Sequence, residues 1–260
     1  MLEPAKSVGG DFYDFFMLDD QHLFFVVGDV SGKGIPASLF MALSKSLCKS
    51  VALRQQQLVA QIINQANSEI SRDNPEMMFV TLFAGILNTT NGPIYIGKEA
   101  EVMEGSVIRG PFALCDHAVV KMSAKMYGDS TIGPYCKIGG EVTNSIFQAY
   151  SNKGHDGFVG NSVIGEWCNL GADTNTSNLK NNYSNVRFYS YKTFEMEETG
   201  VQFCGVIMGD HSKTSINTQL NTATSVGVCA NIFGSGFPPK YVPSFSWGAI
   251  NDTDRFKLDK

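Results

Sequence analysis

Aliphatic residues recur at every sixth position over a long stretch of this chain. Eight successive positions keep the spacing without a miss: Ile96, Val102, Ile108, Leu114, Val120, Met126, Ile132 and Ile138. Several of them are followed by glycine, as expected where a chain turns a tight corner after an inward side chain. Each hexad then supplies one short strand and one corner, and three such strands close a triangular coil around a continuous aliphatic core. The period predicts a mainly β hexapeptide solenoid from Pro93 onward.

The six-residue period changes phase twice. After a slip of two residues, a second phase is kept by Ile146, Phe158, Ile164 and Leu170. Because insertions in a solenoid push residues off one face, the slip at 144–157, which contains His155, is a candidate functional region.

Residues 173–200 lose the period, which indicates an excursion or irregular coil. A third phase follows at Met208, Leu220, Val226 and Ile232. Residues 235–247 are rich in proline and aromatic residues, and we expect them to leave the solenoid and cap its open end.

Residues 1–92 have a mixed α and β pattern instead. Two β-rich runs, Phe12–Leu18 and His22–Val30, flank a turn-like tripeptide and predict a hairpin. Helical spacing predicts one helix from Pro36 to about Leu53 and a second over Leu58–Ile70. Met78–Leu87 returns to a strand-like composition. Such a segment needs more sheet than its own strands to cover its helices.

Composition excludes several classes of protein. The 260 residues include 20 Lys+Arg and 25 Asp+Glu, a net charge of −5, which argues against a nucleic-acid partner. No apolar run approaches the roughly 18 residues of a spanning helix, and the N-terminus has no signal-peptide pattern, so we expect no membrane partner. The six cysteines are widely spaced with no CxxC pair, which favours reduced thiols and a cytoplasmic location.

Three motifs of the first half carry a family resemblance: VGGDFYDFF (Val8–Phe16), GDVSGKGIPASLFMA (Gly28–Ala42) and MFVTLFAGIL (Met78–Leu87). In this order and spacing they resemble the start of the metal-dependent PPM-type serine/threonine phosphatases, in the branch of sporulation and stress-response regulators. The resemblance implies that Asp11 and Asp29, with the Val30 carbonyl nearby, ligate a pair of Mg²⁺ or Mn²⁺ ions. Hard oxygen ligands suit these metals, and a water bridging two ions can attack a phosphoryl group.

The PPM family pattern needs about as much chain again. The missing part includes later aspartates that complete the metal site and the strands of a second sheet, and this sequence departs from the pattern at Gly92. We therefore expect a truncated α+β segment with an incomplete metal site.

The second half, 93–260, resembles the C-terminal left-handed parallel β-helix of sugar nucleotidyltransferases related to glucosamine-1-phosphate acetyltransferase. The closest stretch is SNKGHDGFVGNSVIGEWCNLGADTNTSN, residues 151–178. The resemblance implies acetyl transfer from acetyl-CoA to an amino-sugar phosphate, in a homotrimer with sites between subunits. The nucleotidyltransferase activity of that family would reside in a separate domain, which we do not expect within these 260 residues.

The same resemblance assigns roles to single residues. It implies that His155, in Gly154-His155, is the catalytic base, and that substrate is bound by Lys125, Glu141, Phe158, Asn169 and Asn178. A base near neutral pH suits the removal of an amine proton, and Asn side chains can donate to an oxyanion. Two positions depart from the family: Thr143 stands where a lysine is usual, and Phe158 where a tyrosine is usual.

Other histidines and the tryptophans have simpler interpretations. His211 lies near a region that the family associates with the acyl donor, but it fits a surface turn. Trp167 and Trp247 are expected to pack against neighbours rather than to form a binding platform.

The two resemblances together indicate a chimera, arising from gene fusion, sequence misassembly or engineering, in which each half keeps its own local pattern. The leading hypothesis is an acetyltransferase of the β-helix type. A Mg²⁺/Mn²⁺-dependent protein phosphatase is the competing enzyme, and metal-dependent release of phosphate would separate the two. A non-catalytic trimerisation or sugar-nucleotide-binding module is the third possibility, favoured by Thr143 and Phe158.

Overall fold

The computed structural model describes residues 9–54, 58–74, 77–249 and 252–255. The chain divides into two compact units that meet between Thr90 and Asn91.

The first unit is a three-stranded antiparallel sheet with two helices. Its elements, in chain order, are β1 (Phe12–Asp19), β2 (His22–Val30), α1 (Ile35–Arg54), α2 (Val59–Ile70), a 3-10 turn (Ser71–Asp73) and β3 (Val80–Asn88). The sheet order is β1-β2-β3. Both predicted helices, the predicted hairpin and the third strand are confirmed.

Among the residues that the structure describes, the two helices cover one face of this sheet. Strand alternation places Phe24 and Val26 on the buried face, where they pack with Cys48, Val51 and Ile62 of the helices. The opposite face presents large apolar side chains to solvent: Tyr13, Phe15, Met17 and Val27 are each at least half exposed. A sheet that is apolar on both faces normally packs against a second layer on each side. The unit therefore has the composition of a larger domain.

The second unit is a parallel β-solenoid with three faces. The first face holds Ile94–Ile96, Phe112–Leu114, Ser130–Ile132, Ile146–Phe147, Val163–Ile164, Ile207–Met208, Ser225–Val226 and Tyr241–Val242. The second face holds Glu101–Val102, Val119–Val120, Lys137–Ile138, Asn152–Lys153, Asn169–Leu170, Lys213–Thr214, Asn231–Ile232 and Ser246–Ala249, to which Asp252–Arg255 adds antiparallel. The third face holds Val107–Ile108, Lys125–Met126, Glu141–Thr143 and Phe158–Gly160, and a separate pair, Asn175–Thr176 with Gln219–Leu220.

Coils are numbered here by their first-face strand, so the fourth coil begins at Ile146. Inward side chains of successive coils pair in register, as Leu114 pairs with Ile132 and Val120 with Ile138. These four residues are fully buried. Full burial of such a side chain stabilises the fold by about 1.5–3 kcal/mol. The predicted core from Ile108 to Ile138 is confirmed, whereas Ile96, in the first coil, remains 38% exposed because a coil packs on only one side of it within the solenoid.

The corners are built differently from the expectation. A left-handed residue stands three positions after the inward residue, as at His117 (φ 59°) after Leu114 and Ser123 (φ 58°) after Val120. The glycine that directly follows an inward residue serves close approach instead. A Cβ on Gly133 would lie 1.2 Å from the carbonyl oxygen of Gln148 in the next coil. Only glycine fits there because any side chain would collide with that carbonyl.

The predicted second phase is wrong at two positions. Ile146 is 47% exposed while Phe147 is fully buried, and Val159, not Phe158, points into the core. The cause is shortening of corners, since the inward residues Ile138, Val142 and Phe147 are four and then five positions apart. The expected insertion at 144–157 is absent, because Phe147, Lys153 and Val159 are again six apart.

Of the two predictions made for the later irregular segments, one is confirmed and one is wrong. The predicted excursion is confirmed: between Asn175–Thr176 and Ile207–Met208 the chain leaves the coil and forms an antiparallel hairpin of Arg187–Ser190 with Glu195–Glu198. The predicted cap at 235–247 is wrong. Tyr241–Val242 and Ser246–Ala249 pair parallel with the strands of the preceding coil, so this segment continues the stack.

Candidate functional site

Three of the predicted substrate-binding residues lie in one row. On the third face, Glu141 is in register with Lys125 on one side and with Phe158 on the other. All three flank inward residues and point outward. Lys125 is exposed and Glu141 and Phe158 are half-buried. The row therefore presents a cation, a carboxylate and an aromatic ring on adjacent coils.

His155 lies at the edge of this row. It is exposed in the turn of residues 154–157, which connects Asn152–Lys153 of the second face to Phe158–Gly160 of the third face. The turn is tied to the row by the backbone, since Glu141 N–H donates to Gly157 O at 3.1 Å. The chain thus places the predicted base beside the residues predicted to hold the substrate.

A buried lysine lies beneath the His155 turn. Lys153 occupies an inward position and is 1% exposed, and its Nζ donates to the carbonyl oxygens of His155 at 2.7 Å and Asp156 at 3.1 Å. Burial lowers the pKa of Lys153 to about 8, opposed by the nearby charges of Asp156 and Asp173. Sequence reasoning missed this residue, although the six-residue spacing from Phe147 to Val159 marks its position as inward.

The two predicted asparagines lie on either side of the row. Asn169 is on the second face, where its Oδ1 accepts a hydrogen bond from Asn152 Nδ2 at 2.9 Å. Asn178 begins the excursion, and its Nδ2 donates to Asn161 Oδ1 at 2.7 Å beyond the other edge of the third face. The structure therefore gathers Lys125, Glu141, Phe158 and His155, while Asn169 lies in a second-face strand and Asn178 lies where the excursion begins.

Asn175 is a further residue that sequence reasoning missed. Its Oδ1 accepts a hydrogen bond from Phe158 N–H at 2.9 Å, and its Nδ2 donates to Asp173 O at 2.9 Å. The side chain thereby bridges the fourth and fifth coils next to the row. The signal was weak, because a polar residue before an inward threonine is common in any coil.

A stack of aromatic rings follows the corner between the first and second faces. His117, Tyr135, Tyr150, Trp167 and His211 are the left-handed residues of successive coils, and adjacent ring centroids are 4.5–6.2 Å apart with nearly parallel planes. His117 also contacts Glu99 through Nδ1 at 3.1 Å. The rings stack on one another, so Trp167 packs against its neighbours as expected and His211 occupies a turn.

The predicted metal ligands lie at one end of the first unit's sheet. Phe12 pairs with Gly28, so Asp11 and Asp29 flank the first pair of the ladder, and Val30 N–H donates to Gly10 O at 3.3 Å. Within the described ranges, no group of three or more His, Cys, Asp or Glu residues is arranged to hold a metal ion. Two carboxylates do not provide the ligands of a two-ion centre. The described residues therefore do not fit the pair of Mg²⁺ or Mn²⁺ ions that the resemblance implies.

Comparisons with known proteins separate the two halves. Residues 19–98 match the family model described as Stage II sporulation protein E (SpoIIE). Protein IcfG of Synechocystis sp. is 34% identical over 118 aligned positions, covering 35% of this chain and 19% of IcfG. Phosphoserine phosphatase RsbU of Bacillus subtilis is 32% identical over 80 residues, covering 31% of this chain and 23% of RsbU. The chain thus spans about a fifth of the length of these relatives.

Two solved structures align with 63% of the chain. The polySia-specific acetyltransferase NeuO gives a TM-score of 0.42 at 15% identity and is covered to 81%. The polysialic acid O-acetyltransferase OatWY gives a TM-score of 0.32 at 15% identity and is covered to 87%. The predicted combination is confirmed: a SpoIIE-like, PPM-like segment precedes a mostly β part that is a solenoid.

None of the helices in the part of the chain that the structure describes is long and apolar enough to span a membrane.

Proposed function

We propose that the solenoid transfers an acetyl group from acetyl-CoA to the amine of an amino-sugar phosphate, with His155 as general base. One observation carries the proposal: the row of Lys125, Glu141 and Phe158 is in register on one face, and the His155 turn leads directly into it. A base, a cation for the phosphate and a surface for the sugar thus lie on adjacent coils.

His155 performs the proton transfer of this reaction. Its imidazole takes a proton from the amine as the amine nitrogen attacks the thioester carbonyl. The C–N bond forms, the C–S bond breaks, and the departing CoA sulfur receives a proton as the thiol. Histidine suits this role because imidazole exchanges protons near neutral pH. The exposure of His155 gives both substrates access to it.

The row supplies recognition of the acceptor. Lys125 is exposed and makes no ion pair within the described residues, so its ammonium is free to bind a sugar phosphate. Glu141 can accept hydrogen bonds from sugar hydroxyls, and the Phe158 ring provides an apolar surface. Because Phe158 lacks a hydroxyl and Thr143 lacks a charge, the acceptor is held with fewer polar contacts than in the family that the sequence resembles.

Asn169 is the proposed donor to the oxyanion. Its Oδ1 is engaged by Asn152, which orients the amide and leaves Nδ2 to donate outward. Such a donor stabilises charge that develops on the thioester oxygen. Asn178, fixed by Asn161, is the proposed contact to the far side of the sugar.

We further propose a cytoplasmic homotrimer. Over its first six strands, the first face carries an uncharged row of outward side chains: Tyr95, Ala113, Thr131, Ile146, Val163 and Ile207. Tyr95, Ile146, Val163 and Ile207 are exposed. Such a surface is suited to association with further copies of the chain. All six cysteines are free, which suits a reducing compartment.

Free CoA released from acetyl-CoA in the presence of glucosamine-1-phosphate tests the proposed reaction. We expect turnover by the intact protein in metal-free buffer and a loss of at least about 100-fold in His155→Ala, as for removal of a general base. His117→Ala is the matched control, because His117 is a solenoid corner histidine outside the row, and it should retain turnover. No turnover in any of the three folded proteins would contradict acetyl transfer. Sugar-nucleotide binding without turnover would instead support a binding module.

A further inference from the structure

Lys153 is an exception to the composition of the solenoid interior. Within the described residues it is the one buried side chain that carries a charge, and the inward positions around it hold Phe147, Val159, Ile138 and Leu170. An aliphatic residue at this position would complete the core without the cost of removing water from an ammonium. The presence of a lysine therefore calls for a role other than packing.

The ammonium is aimed at a single turn. Both of its hydrogen-bond partners, His155 O and Asp156 O, belong to residues 154–157. Asp156 O also accepts a hydrogen bond from Asp173 N–H at 3.0 Å, so the same carbonyl links the lysine to the next coil. Because the carbonyl oxygens of His155 and Asp156 are both hydrogen-bonded from inside the coil, the backbone orientation of these two residues is fixed.

The third coil has glycines where it approaches the Lys153 ammonium and the His155 turn. The corner after Ile138 is shortened to Gly139-Gly140, and a Cβ on Gly140 would lie 2.9 Å from Lys153 Nζ and 2.5 Å from Gly157 O. Gly140 also has a φ of 69°, which favours glycine. Because Gly139 and Gly140 have no side chains, there is room for the ammonium, and the His155 turn packs closely against this corner.

We propose that Lys153 is a positioning residue for His155: its buried ammonium binds the carbonyls of His155 and Asp156 and thereby fixes the imidazole at the edge of the Lys125–Glu141–Phe158 row. This inference rests on the proposed acetyl transfer for its catalytic consequence, whereas the fixed turn is a property of the chain alone. The charged groups that act on Lys153 are Asp156, in the same turn, and Asp173, in the turn of the next coil.

Two readouts on Lys153→Met test the proposal, with Lys137→Met, an exposed second-face lysine, as the matched control. Amide hydrogen exchange of residues 155–157 should be faster in Lys153→Met than in the wild type or in Lys137→Met. The kcat for CoA release should fall by about 10- to 100-fold, since a small misplacement of a catalytic group has an effect of this size, while the KM for acetyl-CoA stays within about twofold. Unfolding temperature at pH 7 should not fall, which separates positioning from a role in stability.

Unchanged exchange in the turn, or wild-type kcat in Lys153→Met, would overturn the proposal. If the intact protein transfers no acetyl group, the proposed function fails, and exchange still decides whether Lys153 fixes the turn. If Lys153→Met does not fold, the intact protein provides the test. The NMR chemical shifts of the His155 ring should then change near pH 8, where Lys153 loses its proton. Chemical shifts that do not change near pH 8 would overturn the proposal.

Discussion

At the scale of single residues, the charge of Lys153 has an energetic cost that the fold must offset. Burial of an ammonium costs several kcal/mol, and the two carbonyl contacts recover part of that cost. Replacement of buried charges by apolar residues of similar volume is often neutral or stabilising. Lys153 therefore resembles a residue retained for function at the expense of stability.

The pKa of Lys153 gives a prediction with a definite sign. It is about 8 in the folded protein against 10.5 for a free lysine, so between these pH values the unfolded chain holds a proton that the folded chain does not. Stability contributed by this group therefore rises with pH over that interval, by about 3 kcal/mol in total. Lys153→Met has no ammonium group to bury, so its free energy of unfolding should be larger than that of the wild type at pH 7. The difference between the two free energies should become smaller towards pH 10.

Urea unfolding of both proteins across this pH range measures the difference. Burial raises the pKa of the Cys136 thiol to about 11, which acts in the opposite direction, but this effect is common to both proteins and cancels. A stability difference that does not change between pH 7 and pH 10 would show that Lys153 is not the group responsible.

Part of the candidate site could be predicted from sequence. Lys125, Glu141 and Phe158 were named from the family resemblance, but their shared register was not predicted, because the six-residue period placed Phe158 itself at an inward position. Lys153 was missed because a lysine at an inward position contradicts the aliphatic pattern by which such positions are recognised. Asn175 was missed because its bridging hydrogen bond to Phe158 depends on the spacing of two coils, which sequence alone does not contain.

At the scale of elements, the solenoid corners decide which residues enter the core. Between Ile138 and Phe147 two corners are shortened, and each lost residue shifts the inward position by one. Periodicity predicted the regular coils because identical corners repeat identical spacing. It failed at Ile146 and Phe158 because an eight-residue gap between aliphatic residues can arise from one insertion or from several short corners, whereas Ile164 and Leu170, predicted in the same phase, are buried in the core.

Two adjacent residues of the fourth coil distinguish the observed register, with Phe147 inward, from the predicted register, with Ile146 inward. Phe147→Ala should destabilise the protein by about 3–5 kcal/mol, as for other buried aromatic residues, because it empties a fully buried position. Ile146→Ala, on the outer side, should change the stability of the single chain by less than about 1 kcal/mol. Chemical unfolding of dilute protein measures both, and a larger effect of Ile146→Ala would restore the register expected from the six-residue period.

At the scale of the whole molecule, the two units differ in how complete they are. The solenoid buries its inward side chains from the second coil onward, whereas the sheet of the first unit leaves Tyr13, Phe15 and Val27 exposed on one face. The hairpin, helices and third strand were predictable because local spacing determines them. The described residues supply no second layer for this face, in line with the departure from the PPM pattern at Gly92.

The incomplete first unit should have no metal-dependent phosphatase activity. Asp11 and Asp29 are two carboxylates at one end of a ladder, and the described residues contain no group of three or more His, Cys, Asp or Glu side chains that could hold a metal ion. Hydrolysis of p-nitrophenyl phosphate with Mn²⁺ should therefore equal that of the Asp11→Asn/Asp29→Asn double variant. Mn²⁺-dependent hydrolysis that the double variant lacks would contradict this prediction.

The uncharged first face predicts the assembly of the molecule. Val163 lies in that row, between Ile146 and Ile207, so a lysine there would bring like charges together at an interface between copies. Sedimentation velocity should show trimers for the wild type and a shift towards monomers for Val163→Lys. Lys137→Glu, which changes a charge on the second face, should leave the trimer intact. Equal assembly of all three proteins would exclude the first face as the interface.

We propose that the third face binds an amino-sugar phosphate beside His155. The decisive measurement is a crystal structure of the protein with CoA and glucosamine-1-phosphate. We expect the phosphate against Lys125, the sugar over Glu141 and Phe158, and the amine within hydrogen-bond distance of the His155 imidazole. A sugar phosphate bound on another face, or far from His155 while acetyl transfer proceeds, would contradict this proposal.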